Sequence, residues 1–135
     1  MREIKFRSWN PETKKMFYDF DQNIKEVALG KSIHLFVYET GITHKTLMQF
    51  TGLQDKNGKE IYIGDILSDK WKVEVYQNDE GTFMVKFNTN QKVNKPMSLK
   101  KYLKAREKAG TSNSEGYRDC IIIGNIHENP ELLNQ

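Results

Sequence analysis

The residues with chemistry to offer are few. The histidines are His34, His44 and His127, and the only thiol is Cys120. No two of them stand at a ligand spacing such as C-x-x-C or H-x-x-x-H, so no metal site and no cofactor are expected. Cys120 opens the apolar run Cys120-Ile121-Ile122-Ile123. That context favours burial over the partly exposed, base-assisted setting of a nucleophile. The acidic residues Asp55, Glu60 and Asp65 surround Ile61-Tyr62-Ile63-Gly64. Two carboxylates make an acid/base pair when their environments hold their pKa values apart. An Asp beside a Gly at a strand entry more commonly accepts hydrogen bonds from turn amides, and that is the expectation here. Gly52, Gly58 and Gly64 match neither G-x-G-x-x-G nor a Walker loop, and no G-x-S-x-G elbow is present. Without a catalytic motif, a non-enzyme is expected.

Charge is the one segregated property. Residues 92–108 hold Lys92, Lys95, Lys100, Lys101, Lys104, Arg106 and Lys108 against Glu107 alone, a net +6 in a chain of net +3. The remainder is therefore net −3. On a helix, Lys100, Lys104 and Lys108 share a face with Lys101 beside them. Such a stripe can track a phosphate backbone. The competing reading is a solvated helix face whose lysine stems cover apolar surface. Tyr102 is the segment's only aromatic residue and belongs to the opposite, inward stripe, which leaves little for base stacking.

The elements that would position these groups are mostly strands. Ile4, Phe6 and Ser8 alternate with Lys5, Arg7 and Trp9. Asn10-Pro11-Glu12-Thr13 is a turn, and residues 14–20 return, making a hairpin. Residues 21–31 fit a short helix and a strand equally well, and residues 33–39 read as a strand. Residues 46–51 form another. Asn57-Gly58 is a strong hairpin signal, because both central positions of the common two-residue turn take positive φ. Strands follow at 60–63, 66–68, 71–76 and 83–87, with a turn at Asn78-Asp79-Glu80-Gly81. A helix is predicted over 98–109, capped by Ser98 and closed by Gly110, with Leu99, Tyr102, Leu103 and Arg106 on one stripe. A mobile loop at 111–116, a buried strand at 120–123 and one helical turn opened by Pro130 complete the chain.

These short strands and the single clear helix suggest a mainly β (α+β) protein. It would be a small barrel-like antiparallel β domain of SH3-like character, with one helix near 98–109. A length of 135 residues suits one domain, 1–135. It would divide into an N-terminal α+β part at 1–45 and a barrel part at 46–135 that carries a basic helical insertion at 92–110. One cysteine rules out a disulfide framework within the chain and suits a reducing, cytoplasmic setting. No apolar run reaches the length of a spanning helix, so no membrane partner is expected. The 15 aromatic residues, 7 Phe, 6 Tyr and 2 Trp, argue for a packed core over disorder. Trp9, Phe17, Tyr18, Phe36 and Tyr38, all within the first forty residues, also suit an interface.

Three stretches together carry a family likeness. They are Met1-Arg2-Glu3-Ile4-Lys5-Phe6-Arg7-Ser8-Trp9, the run from Leu47 through Thr51-Gly52-Leu53-Gln54-Asp55-Lys56-Asn57-Gly58-Lys59-Glu60-Ile61-Tyr62-Ile63-Gly64-Asp65 to Ile66, and Ile122-Ile123-Gly124-Asn125-Ile126-His127-Glu128-Asn129-Pro130-Glu131-Leu132-Leu133. In this order they resemble the YopX family of bacteriophage and prophage proteins. The resemblance implies a phage or prophage origin, the cytoplasm of a bacterial host, a mainly β fold and self-association. It implies no activity and supplies no catalytic residues. The expectation is a non-catalytic binding or assembly module that forms homo-oligomers. The alternative is a nucleic-acid-binding accessory protein using Lys100, Lys101, Lys104 and Lys108, with an acidic protein as another possible partner for the same face. The basic segment lies outside the three motifs, so a function resting on it would be peculiar to this chain.

Overall fold

The strands expected from alternation form two antiparallel sheets in a computed structural model of the chain. It describes residues 4–18, 29–30, 43, 46–68, 72–87, 96–109 and 120–133, the last four helical residues by backbone only. The chain divides into two compact units, Met1–Phe50 and Thr51–Gln135. The expected strand at 33–39, the loop at 111–116, the closing Gly110 and all of the expected element at 21–31 except Leu29 and Gly30 lie outside the described residues.

In the first unit β1 (Phe6–Asn10) pairs with β2 (Lys15–Phe17) on one side and with the start of β3 (Leu47–Gln54) on the other. Asn10 makes the hairpin turn. Its Oδ1 accepts the Glu12 N–H at 3.0 Å and the Thr13 N–H at 3.4 Å, while its carbonyl accepts the Lys14 N–H at 2.8 Å. Lys14 takes φ 56° to complete the reversal. The register places Arg7 opposite Met48 and Trp9 opposite Met16, and Arg7, Trp9 and Met48 are buried. On the other face Phe6 lies opposite Gln49 and Ser8 opposite Leu47, and Phe6 and Leu47 are exposed.

In the second unit the later half of β3 leads by a tight turn into β4 (Glu60–Tyr62). A five-stranded sheet follows, built from β5 (Asp65–Ser68), β6 (Lys72–Gln77), β7 (Phe83–Phe87), β8 (Met97–Ser98) and β9 (Ile121–Asn125) in the order β8-β7-β6-β5-β9. Helix α1 (Leu99–Ala109) follows β8 directly, and a single 3-10 turn (Pro130–Leu133) follows β9. The alternation that predicted β6 is the alternation that buries it, with Val73 and Val75 inward and Glu74 and Tyr76 half-exposed. Ile61, Leu67, Val73, Val75, Val85, Leu99, Tyr102 and Cys120 form one apolar core, so strands and helix close on the same interior. The architecture is mainly β, with a curled, half-barrel-like sheet and one described helix.

Two local expectations are corrected. The Asn57-Gly58 turn is centred on Lys56 and Asn57, both at negative φ, and only Gly58 is left-handed, at φ 81°. The Gly58 N–H donates to the Asp55 carbonyl at 3.0 Å and the Asp55 N–H to the Lys59 carbonyl at 2.8 Å. This is a type I turn closed by a glycine bulge, a geometry that asks positive φ of one residue and not two. The run at 120–123 is not an interior strand. Cys120 is buried, but among the described residues β9 is an edge strand, and its three isoleucines are only half-buried. An apolar run states that a strand is covered, without saying by which side of a sheet.

Candidate nucleic-acid interface

Helix α1 forms because its residues satisfy both ends of the requirement. Leu99, Tyr102 and Leu103 fall at i, i+3 and i+4, which is one stripe. Leu99 and Tyr102 are fully buried, and the Tyr102 ring meets Phe87 edge-on at 5.9 Å between centroids and 74° between planes. The Ser98 Oγ accepts the Lys101 N–H at 3.2 Å, the bond of an N-cap. The helix is thereby locked in rotation, and Lys100, Lys101 and Lys104 are held outward, exposed. The backbone of Lys108 belongs to the same helix, and its side chain lies outside the described residues. Ser98, Lys100, Lys101, Lys104 and Ala105 line an open concavity of about 530 Å³.

The electrostatics of this face are unbalanced. The first turn of α1 has no acidic residue and has Lys100 and Lys101 instead. The amino end of a helix carries partial positive charge, so each lysine there opposes the dipole by roughly 0.3–1 kcal/mol where an acid would gain as much. Among the described residues no carboxylate pairs with Lys100, Lys101 or Lys104. Lys86 provides the contrast. It stands opposite Glu74 in register, with its Nζ 3.6 Å from the carboxylate and 5.3 Å from the Tyr76 ring centre. The sheet answers its lysine locally, and the helix leaves three unanswered. Tyr102 is fully buried, so among the described residues this face offers charge and aliphatic stems but no ring for stacking.

Of the three carboxylates considered for acid/base chemistry, the two aspartates accept hydrogen bonds from the backbone. Asp65 is buried, and its Oδ2 accepts the Tyr62 N–H at 2.8 Å. Asp55 is also buried. Its Oδ1 accepts the Asn57 and Lys59 N–H groups, each at 2.9 Å, and its Oδ2 accepts the Ile122 N–H at 3.0 Å. Glu60 is half-buried in β4. Asn125 works in the same manner, its Oδ1 accepting the His127 N–H at 3.0 Å and the Glu128 N–H at 2.8 Å. His34 and His44 lie outside the described residues. Among the described residues no three His, Cys, Asp or Glu side chains converge as metal ligands, and no helix is long and apolar enough to cross a membrane.

These bonds explain what two of the three stretches singled out in the sequence do. The central motif supplies Asp55, Gly58, Gly64 and Asp65, and the C-terminal motif supplies Ile122, Asn125 and Asn129. The two are tied together where Asp55 meets Ile122 and where the Ile126 N–H donates to the Gly64 carbonyl at 2.9 Å. The family model of the YopX protein matches residues 5–134. The chain belongs to the YopX family. Among solved structures it is similar to protein EF1440 from Enterococcus faecalis, at 24% identity and a TM-score of 0.59, over 98% of this chain and 99% of that one. At that identity the likeness is one of fold. No curated protein matches the chain. Membership in the YopX family brings no catalytic residues to carry over, and the matched span includes α1.

The reach of Asp55 across 67 positions to Ile122 is the site feature that sequence reasoning missed. The turn signal around Asp55 was visible, but an Asp and an Asn serve such a turn equally, and nothing local announces a use for the second oxygen.

Proposed function

We propose that this YopX-family protein is a non-catalytic binding module whose working surface is the lysine face of α1, and that its partner is the phosphate backbone of a nucleic acid. The observation that carries this reading is the pair Lys100 and Lys101 in the first helical turn, without a carboxylate partner among the described residues, where the dipole favours acids. Positions that cost folding energy and face solvent are best accounted for by a ligand that repays them. A polyanion does so, and counterion release adds to its affinity. With Tyr102 buried, recognition runs through backbone charge rather than through stacked bases. The family likeness supports a phage or prophage origin and a bacterial cytoplasmic setting as part of the same reading.

The test is fluorescence anisotropy with labelled single- and double-stranded DNA and RNA across a salt series. Three engaged lysines give a slope of log affinity against log salt of about −2.7 on duplex DNA. The double variant Lys100→Glu/Lys101→Glu is expected to lose about two thirds of that slope and most of the affinity. Its melting temperature should hold or rise, because acids in the first turn complement the dipole. Absence of binding at low salt, or binding indifferent to the charge reversal, would refute the reading.

Self-association is a second reading, favoured by the exposed Phe6 and Leu47 on one face of the first unit's sheet. It requires a solution mass above 15.8 kDa that falls on Phe6→Ser/Leu47→Ser substitution.

A further inference from the structure

Among the described residues strand β9 is the outermost strand of the five-stranded sheet, paired to β5 on one side. Its entry, Cys120-Ile121-Ile122-Ile123, is uncharged, β-branched and free of proline. A run of that kind on a sheet edge is the segment readiest to add another strand. Two features blunt it. The register between β5 and β9 pairs Ile66 with Gly124 and Leu67 with Ile122, so Ile123 is an extra residue, a bulge that twists the edge. The turn after β3 then lies along the outer side. There the Asp55 Oδ2 accepts the Ile122 N–H at 3.0 Å, and the Lys56 N–H donates to the Cys120 carbonyl at 3.2 Å. One donor and one acceptor of β9 are thus met by the pattern an added strand would offer.

We infer that the Asp55-Lys56 turn is an edge guard, and that the edge it covers pairs with β9 of a second copy of this chain when the guard is removed. The second copy is the fitting occupant because two identical uncharged isoleucine runs oppose no like charges and can meet antiparallel in an isologous contact. This role shares no residue with the lysine face of α1, so either proposal can fail alone.

The full-length protein provides the test, by amide hydrogen exchange at Ile122 and by sedimentation over a range of concentrations. In the wild type the Ile122 amide is expected to exchange as slowly as its neighbours bonded to β5. Two variants open the guard differently. Asp55→Asn keeps a carbonyl oxygen for the local turn and loses the acceptor for Ile122. Lys56→Pro removes the N–H that reaches Cys120 at a turn position that accepts proline. In Asp55→Asn, exchange at Ile122 should rise roughly tenfold to a hundredfold, the equivalent of one charge-assisted hydrogen bond. Both variants should gain concentration-dependent mass beyond the wild type, and adding Ile121→Lys should reverse the gain. Rapid Ile122 exchange in the wild type would overturn the inference. So would a folded Lys56→Pro protein whose mass follows the wild type at every concentration.

Discussion

The turns at 55–59 and 78–82 are built alike and do different work. In each, the first residue's side-chain oxygen accepts the amides two and four positions on: Asn57 and Lys59 for Asp55, Glu80 and Thr82 for Asn78. In each, the fourth residue is a glycine at positive φ, 81° at Gly58 and 83° at Gly81, whose N–H returns to the first residue's carbonyl at 3.0 Å. Each closes with the first residue's N–H on the fifth residue's carbonyl, at 2.8 Å for Asp55 and 2.9 Å for Asn78. Their first side chains differ in one atom. The second carboxylate oxygen of Asp55 can accept and is used on Ile122, whereas the amide nitrogen of Asn78 can only donate. One turn therefore joins two strands and the other joins two strands to a third. Local chemistry makes a reversal, and spare acceptor capacity makes it a tertiary contact.

The widest separation between the two turns should come from deleting their first side chains. Asp55→Ala strands three amides and is expected to cost about 2–4 kcal/mol, against about 1 kcal/mol for Asn78→Ala, as measured by denaturant unfolding. Equal losses would mean that the Ile122 bond adds nothing. Reciprocal exchange isolates the second oxygen. Asp55→Asn should cost about 1–3 kcal/mol, because the amide turns a donor toward a donor, while Asn78→Asp should stay within about 0.5 kcal/mol. A smaller effect tests the likeness instead. Gly58→Ala and Gly81→Ala should each cost about 1–2 kcal/mol and by similar amounts, since a Cβ is penalised by the shared left-handed backbone. The smallest concerns the related turn at Asn10, where Lys14 adopts φ 56° without being glycine. Lys14→Gly relieves that conformation and loses chain entropy in return, so its melting temperature should shift by only a degree or two, upward if strain dominates.

The same contrast separates what reading the residues could reach from what it could not. Helix α1 was legible, because Ser98 caps it and Leu99, Tyr102 and Leu103 repeat at helical spacing. That Lys100, Lys101 and Lys104 lie off that stripe was legible, and that the helix exposes them to solvent was not. Strands β6 and β7 were legible from alternation, and the turn between them from Asn78 and Gly81. The Asp55 turn was legible as a turn, and Asp65 as a carboxylate for a nearby amide. Missed were the negative φ of Asn57, the edge position of β9 and the bond from Asp55 to Ile122. Short motifs encode backbone preference well. They are silent on which strand lies beside which.

The amino-acid sequence by itself determined the local events of this protein: where strands alternate, where Asn, Asp and Gly reverse the chain, where a helix begins, and which lysines face away from its apolar stripe. These depend on neighbours within about four residues, through side-chain hydrogen bonds and steric limits on φ. Tertiary structure alone decided that the run at 120–123 lies on an edge, that the second oxygen of Asp55 meets Ile122, and that no carboxylate comes to Lys100, Lys101 or Lys104 among the described residues. Those facts depend on strand order and on groups dozens of residues apart, which the shared burial of Ile61, Val75, Leu99 and Tyr102 in one core brings together.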